Sequence, residues 1–317
     1  MRRKQGIEKS EAEELLEVME RLPDWAVVIA LVGGGQEIYL GEAGLEAWGD
    51  ALVGRLDRWR VVASPDVLIG GESVAGHRLF TGFDPGNLRF HEEPLAHLSV
   101  GVRSHRAQRW TEWVNEFLSL RFEAARRLMP NTNEFPCFVT RDLNHAREWL
   151  RTMQDGEPSH RSGLVATSED QRLRAHGLEI SSAFRSGYAY EKWFLAPSCD
   201  VRSSHLLEVA ASEFECQGLE LDWVGVCWGG DLTPNASLTD WEYHKFRGTR
   251  WMSVRQEMER AYVRNRYRVL LTRARFGVVL WIPPGSQRDP TRDAKRFDRV
   301  YEALLVSGVL PLESASP

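Results

Sequence analysis

Short apolar runs of strand length alternate with stretches of helical period almost throughout these 317 residues. That alternation predicts an α/β protein built on mainly parallel sheets. Residues 8–22 read as a helix and residues 25–32 as a fully buried strand, which ends in Gly33-Gly34-Gly35-Gln36. A helix near 43–56 and a strand at 60–63 follow. A Gly-, Pro- and His-rich connection then runs from 64 to 94 with little periodicity. Residues 95–102 make a further short strand, and a long amphipathic helix is expected over 105–128.

Five more strand candidates lie beyond it, at 135–140, 162–167, 206–210, 223–227 and 278–282. Helices at 142–152, 169–176, 253–272 and 292–306 separate or follow them. Five strands with covering helices suffice for a complete doubly wound domain, expected over 103–317. Residues 1–102 hold only two or three strands, and read as the trailing part of a first domain. No period of 20–50 residues recurs, which excludes solenoids.

Composition changes this picture little. Hydrophobic residues make up 43% and charged residues 27%, and no apolar run approaches the ~20 residues that span a bilayer. A cytoplasmic protein without membrane contact is expected. The basic start, Met1-Arg2-Arg3-Lys4, leads into an acidic stretch rather than an apolar one, so it is no secretory signal. The four cysteines lie far apart without a C-x-x-C pair, and read as buried free thiols rather than a disulfide or zinc framework. Twelve tryptophans sit mostly beside apolar residues and read as core.

The net charge of −5 is unevenly spread. Arginines recur at 247, 250, 255, 260, 264, 266, 268, 273 and 275, opposed only by Glu257 and Glu259. Such a stretch can track nucleic acid. A solvated helix with its charges paired elsewhere explains the run equally, and is favoured from the run alone.

Two loops carry the candidate chemistry. Gln217-Gly218-Leu219-Glu220 reads as a turn at a strand end, where a carboxylate can meet a ribose hydroxyl. Arg273 ends a helix just before a buried strand, a position from which an arginine can neutralise charge on a transferring phosphoryl group. Arg275 either joins that site or interacts with the helix dipole. Gln36 follows three glycines that can make a simple tight turn. At the end of a strand, however, its amide can also sense a phosphate and orient water. Arg103 is a second candidate for phosphate contact. No metal site, H-E-x-x-H or G-x-S-x-G occurs, and there is no G-x-x-x-x-G-K-[ST] phosphate loop.

Four segments in order carry a family resemblance: VVIALVGGGQEIYLGEAGL at 27–45, HLSVGVRS at 97–104, FECQGLELDWVGVCW at 214–228 and NRYRVLLTRARFGVVLWIP at 265–283. Together they resemble the schlafen group 3-like DNA/RNA helicase domain, a relative of superfamily 1 helicases. The resemblance implies a pair of RecA-like domains with parallel sheets, the first partial and the second complete, with ATP bound between them. It places Gln36 at the glutamine of motif III and Arg103 at the arginine of motif IV. Gly218 and Glu220 fall in motif V, whose glutamate meets the ribose, and Arg273 is the motif VI finger. Arg141 and Thr167 are implied contacts to a nucleic-acid strand. Gly33-Gly34 and Gln217-Gly218 depart from the superfamily's usual Gly-Asp and Lys-Gly pairs.

The resemblance also implies that the phosphate-loop lysine and the Mg²⁺ carboxylates precede motif III. Only about two dozen residues come before that strand here. ATP and Mg²⁺ are therefore expected to bind only where the missing half, or a separate polypeptide carrying the phosphate loop, is present, and the chain alone is expected to be inactive. Single-stranded DNA or RNA is the expected partner. The alternative is a non-catalytic nucleic-acid-binding or regulatory module that keeps the RecA-like fold.

Overall fold

The computed structural model describes residues 9–32, 44–70, 78–81, 90–96, 105–156 and 159–312, which fall in two compact units, Met1–Val100 and Gly101–Pro317. The expected division at 102/103 lies outside the described residues, as do Gln36 and Arg103.

In the first unit, helix α1 (Glu11–Met19) starts at a capping box. Ser10 Oγ accepts from the Glu13 amide at 3.1 Å, and the Glu13 carboxylate accepts from the Ser10 amide at 2.8 Å. Helix α2 (Leu45–Val53), strand β1 (Val61–Ala63), helix α3 (Pro65–Ile69) and strand β2 (Phe90–Glu92) follow. β1 and β2 pair in parallel, and the core gathers Ala12, Leu16, Leu45, Ala51, Leu52, Leu79 and Phe80. The buried strand expected at 25–32 is not there. The segment carries no strand, and Trp25, Ile29 and Leu31 are 78%, 82% and 81% exposed. An apolar run becomes a buried strand only where sheet neighbours cover both its faces. β2, in turn, falls within the stretch that lacked periodicity.

The second unit is built on a six-stranded sheet of order β11-β3-β10-β6-β4-β5, parallel at every pairing. Its strands are β3 (Cys137–Thr140), β4 (Ser162–Ala166), β5 (Ala210–Ala211), β6 (Leu221–Cys227), β10 (Ala274–Trp281) and β11 (Leu310–Pro311). The central strands β6 and β10 are buried on both faces, which is why they read as continuous apolar runs. Helix α6 (Leu143–Asp155) packs on β6 and β10 over Val279 and Trp281. By strand alternation, Val278 and Leu280 face the other side. Helices α4 (His105–Leu118) and α10 (Glu257–Leu271) pack against one another, and α4 also packs on β10.

The helix expected over 105–128 is two, α4 and α5 (Phe122–Leu128), broken where Leu120 turns left-handed at φ 60°. Along α4, Trp110, Trp113 and Phe117 stack at centroid distances of 4.4 and 4.8 Å. The indole N–H groups of Trp110 and Trp113 donate to the carbonyls of Leu271 and Ser307, so these tryptophans are core with satisfied polar tips. The expected helix at 169–176 is a 3₁₀ turn (Gln171–His176), and only Ala210 of the expected strand at 206–210 joins the sheet.

Helices α7 (Ser182–Gly187), α8 (Tyr190–Leu195), α9 (Glu213–Cys216) and α11 (Ala294–Val306) complete the layers. An antiparallel sheet of β7 (Leu232–Pro234), β8 (Trp241–Arg247) and β9 (Arg250–Ser253) stands apart from the parallel one. Pairing of Arg247 with Arg250 leaves a two-residue turn, Gly248-Thr249, in which Gly248 takes φ 61°. Residue 253, expected to start a helix, ends β9 instead.

No helix among the described residues is long and apolar enough to cross a membrane, and no group of His, Cys, Asp and Glu among them could hold a metal. Cys137, Cys216 and Cys227 are buried free thiols, whereas Cys199 is exposed.

Candidate functional site

Because β6 and β10 are parallel neighbours, the residues just before each lie at the same edge of the sheet. The Leu221 amide donates to the Arg273 carbonyl at 3.0 Å, joining two segments more than fifty positions apart. Before β6, α9 opens on a capping box between Ser212 and Glu215, and the chain then turns at Gly218. Gly218 has φ +81°, a conformation that side chains resist, although open space surrounds it.

Arg273 fastens this turn to the end of α10. Its Nε donates to the Val269 carbonyl at 2.8 Å, and its Nη1 to the carbonyls of Cys216 and Leu219 at 3.3 and 3.1 Å. The side chain is 1% exposed. Sequence reasoning pictured it reaching outward, but it is turned into the protein, and reaching a phosphate from here would first break these bonds. Burial pushes the neighbouring Cys216 thiol up to about 12, with Arg273 opposing, so this sulfur is held as the inert thiol.

Among the groups that meet solvent at this edge are Gly218, Glu220 and Arg275. Arg275 lies in β10, not at the helix end. Its Nη1 donates to Asp222 Oδ1 at 3.1 Å, and its Nε is 4.0 Å from Glu220 Oε2. The basic residue of the last turn of α10 is Arg268, so the dipole reading of Arg275 gives way to a carboxylate pair.

Arg141 and Thr167 follow β3 and β4 and lie at the opposite, carboxyl edge. Strands of five to seven residues separate the two edges, about 17–23 Å at ~3.3 Å per residue. Arg141 pairs with Asp298 at 2.8 Å. Thr167 is fully buried and gives its hydroxyl proton to Asp231 at 2.7 Å, so it presents nothing to a bound strand.

Around Thr167 the structure gathers a charge network that sequence reasoning missed. Asp231 also accepts from the Tyr267 hydroxyl at 2.6 Å. Glu213 accepts from the Ser168 amide and hydroxyl at 2.9 and 2.5 Å. Arg266 lies between the two carboxylates, 3.1 Å from Glu213 and 3.5 Å from Asp231, and Glu169 is 3.8 Å away. Burial raises the pKa of both Glu213 and Asp231, and in each case Arg266 is the largest opposing influence. Gly229 is required by close approach, since a Cβ there would lie 2.4 Å from Thr167 and 2.7 Å from Asp231. The available signals were Gly229-Gly230-Asp231 directly after a strand, and an arginine inside the apolar stripe of Val263, Tyr267 and Leu270.

Asp170 neighbours the network and accepts from the Gly230 amide at 2.7 Å. Burial pushes it up to about 7, with hydrogen bonds from Gly230 opposing and Asp231 reinforcing the rise. A folded-state value above the ~3.9 of an unfolded aspartate means the folded state holds the proton more tightly. The resulting stability is complete below about pH 4 and is lost as pH rises through about 7. Melting temperature should therefore fall between pH 5 and pH 8, and Asp170→Asn should flatten that fall. An undiminished fall in the variant would assign it to another group.

A six-stranded parallel sheet flanked by helices, with candidate chemistry gathered at its edges, defines an α/β domain of the Rossmann-like or RecA-like kind. The profile of the family described as "Schlafen group 3, DNA/RNA helicase domain" matches residues 1–284, and the chain belongs to that family. It is thus a helicase-like domain of a nucleic-acid-related family. No curated protein matches the chain. Helix α11 and strand β11 lie beyond the matched residues, yet β11 pairs with β3 in the same sheet.

Proposed function

We propose that this chain belongs to a superfamily 1-like, nucleic-acid-dependent ATPase or helicase, and that it supplies one wall of the ATP site. The observation that carries this is the junction of residues 217–220 with Arg273 at one sheet edge. Glu220, half-exposed beside the Gly218 turn, is positioned to accept from a ribose hydroxyl. Arg275 adds a partly exposed cation whose charge is shared with Asp222. Gln36 and Arg103 are assigned to the same site from the resemblance alone.

These 317 residues contain no phosphate-loop lysine motif. ATP and Mg²⁺ are accordingly proposed to bind where a polypeptide carrying that loop is present, and the chain alone to hydrolyse none. The burial of Arg273 favours a second reading, a non-catalytic nucleic-acid-binding or regulatory module that keeps the fold as scaffold. Phosphate release upon adding a polypeptide that carries the phosphate loop separates the two, because a scaffold gives none.

The proposed partner is single-stranded DNA or RNA, with Arg141 a phosphate contact at the carboxyl edge. Phosphate contacts dominate such affinity and release counterions. Fluorescence anisotropy with labelled oligonucleotides should show weak binding at about 50 mM salt that drops steeply by about 200 mM. Salt-insensitive binding, or none at the lower salt, contradicts the nucleic-acid assignment.

A further inference from the structure

We propose that His160, Trp223 and Phe276 form a stacking pocket for one unpaired base of a single strand. The proposal takes its ligand class from the nucleic-acid reading above, but its geometry is independent of that reading. The three rings surround a depression of about 630 Å³ in the second unit, bordered also by Asn133, Glu134 and Pro136. This lies within the ~300–1,000 Å³ of small-molecule clefts. The ring centroids of His160 and Phe276 are 4.7 Å apart, those of Trp223 and Phe276 5.9 Å, and those of His160 and Trp223 6.2 Å.

Two local features build this arrangement. The pairing of β10 with β6 shifts register between Ala274 and Gly277, and such a bulge re-aims side chains, here bringing Phe276 beside Trp223. Gly277 then leaves the space that the indole fills, since a Cβ there would lie 2.7 Å from Trp223 Cζ3 and 2.8 Å from the Pro136 carbonyl. Trp149 supports the indole from another side, edge-on at 5.8 Å.

The cluster differs from ordinary core in its polar atoms. Trp223 Nε1 and His160 Nδ1 are both buried and have no hydrogen-bond partner. Elsewhere in this unit the indoles of Trp110, Trp113, Trp193, Trp228, Trp241, Trp251 and Trp281 all donate to carbonyls. Both nitrogens are closed off from solvent, so what the half-buried rings offer a ligand is their faces, on which a planar heteroaromatic ring stacks. The Glu134 carboxylate at the mouth can accept from an exocyclic amino group and disfavours a free polyphosphate, which points to a base within a strand rather than a mononucleotide.

The test uses the full chain and oligonucleotides carrying 2-aminopurine, whose fluorescence falls on stacking, with anisotropy read from the same samples. Quenching is expected with the native chain. Phe276→Leu and His160→Ala, at half-buried positions, should each weaken binding about tenfold, the scale of losing one base stack. Phe276→Trp should retain the quenching, which a role in packing alone would not require, and melting curves establish that each variant is folded. Oligonucleotide binding without quenching, or equal quenching in all variants, overturns the pocket and leaves the nucleic-acid reading standing. Absence of any binding overturns both, and tighter binding of 2-aminopurine riboside triphosphate than of the oligonucleotide overturns the assignment to a strand.

Discussion

Replacing Arg266 with methionine is expected to destabilise the second unit by about 3–5 kcal/mol, the usual cost of leaving a buried charge without its partner. Glu213 and Asp231 are fully buried, and Arg266 is the cation between them, itself only 7% exposed. It lies off the axis of a proper hydrogen bond to either carboxylate, so its contribution is charge neutralisation rather than directed bonding. Removing it leaves two buried carboxylates without the cation between them, each of which must take up a proton or the region must open. The network ties α10 to the residues after β4, β5 and β6, so opening it loosens the whole carboxyl edge. Denaturant melts measure the loss. The triple variant Arg266→Met, Glu213→Gln, Asp231→Asn should recover most of it, because the penalty belongs to the unpaired charges and not to the missing side chain. A loss below about 1 kcal/mol in the single variant would mean that water reaches these carboxylates and that the network does not hold the edge together.

How far the sequence revealed this architecture depends on what each segment rests against. β6 and β10 were legible because a central parallel strand is buried on both faces and therefore shows an unbroken apolar run. β5 was displaced because its two residues, Ala210 and Ala211, take their strand character from β4 and not from composition. The hairpin of β8 and β9 carried a readable signal, alternating buried Trp241 and Tyr243 with a Gly-Thr turn, which the expectation of a mainly parallel domain obscured. Residues 25–32 failed in the other direction: apolar enough for a buried strand, they pair with no strand among the described residues. At the candidate site, the nearness of Gly218, Glu220 and Arg273 followed from the resemblance. The inward turn of Arg273 did not, since it depends on the carbonyls that the 216–219 backbone offers to the guanidinium. The network around Arg266 was missed for a similar reason, because its members come from four separate segments and the signals within single segments do not show that they meet.

In the presence of a polypeptide that supplies the phosphate loop, Arg273→Ala should lower the ATPase kcat by about 10³-fold or more, the scale at which an arginine finger acts. For that role the guanidinium must leave the carbonyls of Cys216 and Leu219, which it now holds through Nη1. Because the guanidinium is a rigid plane, its bonds from Nε to Val269 and from Nη2 to Thr272 break as well, so the movement is a swing of the whole side chain and not an unwinding of the helix. Losing the neutralisation of charge that develops only in the transition state lowers kcat while leaving KM nearly unchanged. Holding the 217–220 turn in place would give a different signature, a higher KM for ATP with a small change in kcat, since the ribose contact at Glu220 would be misplaced in the ground and transition states alike. Arg273→Lys sharpens the distinction: a lysine keeps the charge but not the fork of donors that bridges two carbonyls. If Arg273→Ala changes kcat by less than tenfold while KM rises, the arginine fastens the turn and is not the finger.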